Sequence, residues 1–195
     1  MHRTTTPRTA TALCPFLVVA ATALIGAPLA GQARAEPLST PRDGPLIHGF
    51  GAVYDVPLTD LETPPDLEYK VVFEVSQSSE PGTVNPYLNT VARFLNMHAR
   101  AGVPLERMHL AVVMHGEAAK DALMVGPYRE RYGVDNANAE LLRQLSEAGV
   151  ELYICGQSAQ SRGLPHDQLV EPIRMALSAM TALSALHARG YWRVN

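Results

Sequence analysis

Cys155 is the residue whose type and surroundings are best suited to chemistry. It ends a predicted strand over residues 150–155 and is followed by Gly156, Gln157 and Ser158. The thiolate is the nucleophilic form of cysteine, and a free thiol with a pKa of about 8.5 is only partly ionised at neutral pH. Gly156 leaves the backbone N–H groups of the turn sterically open, and Gln157 and Ser158 add polar partners. The segment therefore favours a thiolate.

A second interpretation of Cys155 is structural. Free cysteine is among the most frequently buried residue types, and at the end of a strand it can act as a small hydrophobe. The local sequence is compatible with a reactive thiol and with an inert one, so both interpretations stay open.

His115 and Gly116 occupy the corresponding place after another predicted strand, residues 108–115. Ligands of open α/β sheets bind beyond the carboxyl ends of the strands. If the two strands are neighbours, His115 and Cys155 lie at the same edge, where an imidazole could help to ionise the thiol. The ordinary alternative is a histidine that only satisfies a backbone group at a strand end.

The remaining residues form no familiar signature of a catalytic or metal site. The sequence contains no HExxH, CxxC, GxGxxG or P-loop pattern, and residues 156–159 do not match Gly-x-Ser-x-Gly. The other histidines show no ligand spacing with one another, so no metal is expected. A metal bound by His115 and Cys155 across a subunit boundary is a third alternative, since two ligands are too few without a partner.

Residues 1–35 are typical of a secretory signal peptide. Two arginines near the start precede a mainly apolar run over residues 13–30, and Ala33 and Ala35 fit cleavage by signal peptidase before Glu36. The alternative is an uncleaved membrane anchor, because the apolar run is about long enough to span a bilayer. The prolines in the run and the cleavage pattern favour removal. The sequence thus predicts a periplasmic or secreted protein with no membrane contact after cleavage.

Cleavage changes both the charge and the thiol content of the chain. It removes three arginines and no acidic residue, which leaves 13 Lys and Arg against 19 Asp and Glu, a formal net charge of −6. Nucleic acids and anionic membranes favour basic surfaces, so neither is expected as a partner. Cys14 leaves with the signal peptide, so Cys155 becomes the only thiol and no internal disulfide can form.

The 160 residues left after cleavage suit one domain. Residues 36–68 are rich in proline and predict an extended N-terminal arm and loop, in which residues 36–48 form a mobile arm and residues 49–56 a short strand or extended edge segment. Residues 69–195 predict the folded domain. Strands are predicted over residues 70–76, 108–115, 150–155 and 191–194. Helices are predicted over residues 85–101, from Asn136 or Asn138 to 148, and over 169–189, with helical turns over 117–124 and 128–132 and a loop over 156–166.

Alternation of strands and helices predicts an α/β fold with three layers, in which a mostly parallel sheet has helices on both faces. The almost unbroken apolar run over residues 110–114 indicates a strand buried on both sides. The last helix is expected to bury an apolar stripe, which consists of Ile173, Ala176, Leu177, Met180, Leu183 and Leu186.

Several of these segments, in this order, resemble the DsrE/DsrF-like family, also described as the YchN-like fold. The resemblance spans roughly residues 69–195. It is carried by residues 69–75, Leu95-Asn96, residues 112–116, residues 149–158, residues 175–180 and Gly190-Tyr191. The His-Gly and Cys-Gly-Gln-Ser elements in this order are together fairly specific, whereas each alone is a weak signal.

The resemblance implies a homo-oligomer, a trimer or hexamer, and a role in sulfur handling without a cofactor. Some members of the family pass sulfane sulfur along a relay as a cysteine persulfide, with a sulfur donor or acceptor protein as partner. Cys155 is the cysteine available for this role. His115 would help to ionise or orient it, and Gly116, Gly156, Gln157 and Ser158 would bind the anion.

A non-catalytic function is the alternative to sulfur transfer. The chain could be an exported homo-oligomeric module that binds a small ligand at the strand ends. Cys155 would then be buried and inert, as the structural interpretation of the thiol requires.

Overall fold

The computed structural model describes residues 39–194, so the predicted signal peptide and the thiol of Cys14 lie outside the described residues. Five parallel strands form one sheet in the order β4-β3-β2-β1-β5. The strands are β1 (Tyr69–Val75), β2 (Met108–Met114), β3 (Glu151–Cys155), β4 (Arg174–Ala176) and β5 (Trp192–Val194). The first three strands and the short last strand confirm the sequence prediction to within one residue at each end. In the described chain, no helix combines the length and the apolar character needed to cross a bilayer.

In the part of the chain that the structure describes, five helices connect the strands, with short 3₁₀ turns between some of them. The helices are α1 (Pro86–Arg100), α2 (Val125–Tyr132), α3 (Ala139–Glu147), α4 (Gly156–Ser161) and α5 (Ala179–Ala188), and the 3₁₀ turns are Leu105–Arg107, Gly116–Ala122 and His166–Gln168. Helix α1 begins where the sequence predicted, because the side chain of Asn85 accepts a hydrogen bond from Tyr87 N–H and Pro86 occupies the first helical position.

The sheet is buried on both faces. On one face Leu110, Val112 and Met114 of β2 join a large apolar cluster that includes the buried sides of α1 and α3. On the other face Ala111 and Val113 join a smaller cluster beneath α5. Alternate residues of one strand therefore enter two cores, which explains why residues 110–114 of β2 are all apolar. The predicted three-layer α/β architecture is confirmed.

The structure corrects the predicted loop over residues 156–166. Helix α4 begins immediately after Cys155 and extends to Ser161. The helix is only six residues long and buries little more than Gly156 and Ala159. The sequence therefore shows no helical spacing of apolar residues that would have predicted it.

The predicted last helix over residues 169–189 begins ten residues too early. Ser178 caps α5, since its side chain accepts a hydrogen bond from Thr181 N–H at 3.1 Å, and the preceding residues form β4 instead. Pro172 lies within the segment wrongly predicted as helix, where a proline interrupts helical hydrogen bonding. Consequently Leu177 and Met180 do not form part of a buried stripe but are 72% and 76% exposed.

Part of the N-terminal arm is packed rather than mobile. Ile47 is fully buried, and the side-chain oxygen of Asn96 accepts hydrogen bonds from the N–H groups of Leu46 and Ile47 at 3.1 and 2.9 Å. Asn96 Nδ2 donates to the carbonyl of Ile47 at 2.9 Å and also to those of Phe50 and Gly51. The buried asparagine in α1 thus fixes the arm through its backbone.

Glu151 joins the elements around α5. Its carboxylate accepts hydrogen bonds from Arg174 of β4 and from Arg189 just after α5, each at 2.7 Å. The hydroxyl groups of Tyr153 and Tyr191 donate to it at 2.8 and 2.7 Å. These donors, Arg189 first, hold the pKa of Glu151 well below its usual range. One carboxylate therefore ties β3 to β4, to the end of α5 and to the start of β5.

Candidate functional site

Cys155 lies at the carboxyl end of β3, directly before α4, and is 5% exposed. Burial acts to raise the pKa of its thiol, but hydrogen bonds act in the opposite direction. They come from the hydroxyl of Ser158 and from the backbone N–H groups of Ser158, Ala179 and Gln157, and their combined effect lowers the pKa. The polar groups near the thiol are therefore hydrogen-bond donors, and donors of this kind stabilise a sulfur anion.

Gly156 allows one of these donors to approach. A Cβ atom at this position would lie 2.7 Å from the carbonyl oxygen of Ala176 and 3.3 Å from that of Leu177. The connection from β4 to α5 therefore passes directly against Gly156 and brings Ala179 N–H to the sulfur. Gln157 is exposed, and its side-chain amide donates to the carbonyl of Leu177 at 3.4 Å.

Gly116 acts on the site through Ser158. Its N–H donates to Ser158 Oγ at 3.0 Å. Ser158 is in turn one of the groups that lower the pKa of Cys155, so Gly116 contacts the surroundings of the thiol through this hydroxyl. Gly116 has φ +54°, and a Cβ there would lie 3.0 Å from Ser76 O, so the turn requires glycine.

A salt bridge lies beside this hydrogen bond. Arg162 Nη2, at the end of α4, lies 2.7 Å from Glu117 Oε1 in the turn after His115. It joins the same two segments that Gly116 and Ser158 join. The turns that follow β2 and β3 are therefore connected twice at the edge where the thiol lies.

His115 extends β2 by one residue, and its side chain contacts Glu74 of β1. The distance from His115 Nε2 to Glu74 Oε1 is 2.9 Å, and Glu74 Oε2 accepts from Arg193 at 2.6 Å. Met114 pairs with Ile154, so His115 and Cys155 occupy the next positions of two neighbouring parallel strands. The structure thus brings both predicted residues to one edge, with the imidazole hydrogen-bonded to Glu74.

Glu74, Arg193 and Ala179 were missed by sequence reasoning. The sequence does contain a signal for Glu74, because this residue is the charged position within the apolar run of β1. It lies two residues after Val72 and therefore on the same face of the strand, beneath α5. Arg193 pairs in register with Val72 and reaches Glu74 from β5. Ala179 contributes only a backbone N–H, which no residue-type pattern reveals.

Within residues 39–194 no group of three or more His, Cys, Asp or Glu side chains is placed to bind a metal ion. The donors around Cys155 are N–H and O–H groups, which suit an anion rather than a cation.

Comparisons with known proteins agree with this architecture. The protein of unknown function MTH1491 from Methanobacterium thermoautotrophicum has a similar structure, with a TM-score of 0.50 and 18% sequence identity over 65% of this chain and 97% of that one. The ychN protein from E. coli has a TM-score of 0.47 and 15% identity with the same two coverages. At these identities the likeness to MTH1491 concerns the fold alone. A comparison with curated proteins gives no match.

The family is established by sequence. The model of the DsrE/DsrF-like family matches residues 70–194, which include every residue described at the site and the whole described sheet except Tyr69, the first residue of β1. The match confirms the resemblance inferred from the His-Gly and Cys-Gly-Gln-Ser elements. The chain belongs to the DsrE/DsrF-like family, which is related to sulfur relay.

Proposed function

We propose that this protein takes up sulfane sulfur as a persulfide on Cys155 and passes it to an acceptor. The observation that carries the proposal is the position of Cys155 at the carboxyl end of β3, directly before α4 and at the strand position that adjoins His115, where nearby donors lower the pKa of the thiol. A persulfide anion carries the same charge as the thiolate and would be stabilised by the same donors. The relation of the family to sulfur relay supports the choice of sulfur as cargo.

The chemistry requires no cofactor and no net oxidation. The Cys155 thiolate attacks the outer sulfur of a donor persulfide, R–S–SH. A new S–S bond forms on Cys155, the S–S bond of the donor breaks, and the donor leaves as a thiol, R–SH, after taking up a proton. An acceptor thiolate then attacks the outer sulfur on Cys155 and releases the Cys155 thiolate.

Loading of Cys155 can be measured directly by mass spectrometry. The purified protein is incubated with glutathione persulfide, digested and analysed at the level of peptides, so that sulfur on Cys155 is distinguished from sulfur on Cys14. We expect the Cys155 peptide to gain the mass of one sulfur atom, and Cys155→Ala to gain none. If the peptide stays unmodified under conditions that load an established persulfide carrier, the proposal fails.

The burial of Cys155 favours one other candidate function. A thiol that is 5% exposed is also expected in a non-catalytic module whose cysteine only packs. The rate of labelling by iodoacetamide distinguishes the two functions. A native rate close to that of the unfolded chain supports the carrier, whereas slow labelling that becomes fast only on unfolding supports the inert module.

We propose further that the protein acts outside the cytoplasm as a homo-oligomer and exchanges sulfur with a donor or acceptor protein there. The signal-peptide pattern supports export. The exposed side chains of Leu177, Met180 and Trp192 support self-association, because large apolar groups at a surface favour burial. Cell fractionation tests the location, and light scattering during size-exclusion chromatography tests the oligomer. A cytoplasmic monomer would contradict both proposals.

A further inference from the structure

A row of polar side chains continues from the thiol across the carboxyl edge of the sheet. Glu74 lies two residues after Val72, and His115 lies two residues after Val113. Both valines lie beneath α5 in the same apolar cluster as Cys155. Glu74 and His115 therefore lie on the face of the sheet that carries the thiol. Glu74 is not among the groups that lower the pKa of Cys155, so the position of this carboxylate needs a separate explanation.

Glu74 fixes the orientation and the tautomer of His115. The carboxylate oxygen Oε1 lies 2.9 Å from His115 Nε2, and Arg193 holds the other oxygen at 2.6 Å. An ionised carboxylate only accepts hydrogen bonds, so Nε2 must carry the proton of the neutral imidazole. Among residues 39–194 the second ring nitrogen, Nδ1, has no hydrogen-bond partner, and it is the nitrogen left to accept a proton.

Strand register places His115 next to Cys155 on the neighbouring strand. His115 and Cys155 follow the paired residues Met114 and Ile154, so they occupy equivalent positions on adjacent strands. Neighbouring strands are about 4.8 Å apart, and side chains at equivalent positions point to the same face. His115 is also partly open to solvent, with 25% of its side chain exposed, so a sulfur donor can reach it.

We propose that Glu74 is a positioning residue for sulfur transfer and acts through His115. This inference rests on the proposed function and deepens it. The S–H bond of Cys155 breaks and His115 Nδ1 takes the proton, while Glu74 stabilises the charged ring through Nε2–H. The thiolate attacks the outer sulfur of the donor persulfide, the S–S bond of the donor breaks, and the leaving thiolate takes the proton from Nδ1. Arg193 keeps Glu74 in place by charge.

The chain contains a matched control for this arrangement. At the other end of the same two strands, His109 Nε2 lies 2.7 Å from Glu68 Oε2, and Glu68 also pairs with Arg107. His109 precedes His115 by six residues, so this second cluster is about 20 Å from the edge with Cys155. The two clusters have the same chemistry, but only one of them adjoins the thiol.

The test combines Glu74→Gln with His115→Ala and uses the single-turnover rate at which glutathione persulfide loads Cys155. Glutamine still accepts a hydrogen bond but carries no charge. We expect His115→Ala to lower the rate about a hundredfold, as for other proton-transfer groups. Glu74→Gln should lower it about tenfold, a smaller loss than that from His115→Ala, because the imidazole keeps a hydrogen-bond partner and loses only the neighbouring charge. Glu68→Gln should leave it unchanged.

The double variant separates positioning from folding. If Glu74 acts through His115, Glu74→Gln causes no further loss in the His115→Ala background. Nitrogen-15 NMR of the wild type should show His115 protonated at Nε2, and Glu74→Ala should abolish that preference. An equal loss from Glu74→Gln in both backgrounds, or a rate equal to that of Glu68→Gln, would overturn the inference. Failure of the wild type to load Cys155 at all would instead overturn the proposed function.

Discussion

The backbone N–H of Gly116 donates a hydrogen bond to Ser158 Oγ at 3.0 Å, and this contact joins the turns that follow β2 and β3. Ser158 is also one of the polar groups that lower the pKa of the Cys155 thiol against the effect of burial. Gly116 thus contacts a side chain that acts on the pKa of the thiol.

Removal of the Ser158 hydroxyl should make Cys155 less reactive near neutral pH. The hydroxyl is one of the donors that lower the pKa of the thiol, so Ser158→Ala raises that pKa and reduces the thiolate fraction. The rate of alkylation by iodoacetamide, followed against pH, should show its midpoint moved upward. Ser161→Ala is the matched control, since Ser161 Oγ bonds only the carbonyl of Ser158 in the same helix and Arg162. An unchanged midpoint in Ser158→Ala would contradict this role.

Gly156→Ala should destabilise the fold and the site together. The new methyl group would lie 2.7 Å from the carbonyl oxygen of Ala176, and neither backbone can move without displacing β4. We expect a loss of about 1–3 kcal/mol in the free energy of unfolding, as for other overpacked positions. Gly126→Ala in α2 has open space around it and should be neutral or slightly stabilising. Urea denaturation of both variants measures the difference, and equal stabilities would show that the close approach is unimportant.

Asp121 should make stability fall as the pH rises from about 4 to about 6. This carboxylate is fully buried and accepts a hydrogen bond from Asn85 Nδ2 at 2.7 Å, and burial raises its pKa to about 6 from 3.8. The folded state therefore binds the proton more tightly than the unfolded state, and above pH 6 the charged form costs about 3 kcal/mol.

The variant Asp121→Asn should lose this pH dependence. The amide oxygen of the variant can still accept from Asn85, and no charge is buried at any pH. The free energy of unfolding of the variant relative to the wild type should rise between pH 4 and pH 6 and then level off. Chemical denaturation across this range checks the expectation, and a constant difference would show that Asp121 keeps an ordinary pKa in the fold.

Glu151→Gln should weaken the connection between β3, β4 and α5. The variant leaves Arg174 and Arg189 without their carboxylate, and we expect a loss of about 1–3 kcal/mol at neutral pH, as for other charged hydrogen bonds. Because the pKa of Glu151 is lowered in the fold, its contribution is present above the unfolded value of about 4.5 and declines as the pH falls below that value.

The control for Glu151 is Glu147→Gln, which removes an exposed helical ion pair with Arg143 and should cost less than about 0.5 kcal/mol. Thermal unfolding at neutral pH compares the two variants. If both lose the same small amount, the carboxylate of Glu151 is not the connection that holds α5 to the sheet.

The sequence was sufficient where a single local pattern determines structure. The run of β2 is apolar on both faces, and Asn85 with Pro86 starts α1, so both elements were predicted almost to the residue. It was insufficient where structure depends on distant contacts. Helix α4 is short and polar, and the start of α5 depends on Ser178, whose capping role only becomes visible once β4 is known.

The candidate site divides in the same way. Cys155, Ser158 and Gly116 follow strand ends, so residue type and position indicated them before the fold was known. Ala179 contributes a main-chain group, and Glu74 contacts His115 across a strand pair, so each depends on tertiary structure. Patterns along the chain indicate which strand ends form the candidate site. They do not indicate which distant groups contact the residues at those ends.

The contacts of Asn96 with the N-terminal arm have a consequence for how this region can vary among relatives. Asn96 forms hydrogen bonds only with main-chain N–H and C=O groups of the arm. These contacts therefore do not constrain which side chains most positions of the arm carry. Two positions are exceptions. Ile47 is fully buried, and a Cβ on Gly51 would lie 2.4 Å from the backbone of Ala92. Relatives that keep the arm should therefore preserve an asparagine, a glycine and one aliphatic residue, while the rest of its sequence drifts freely.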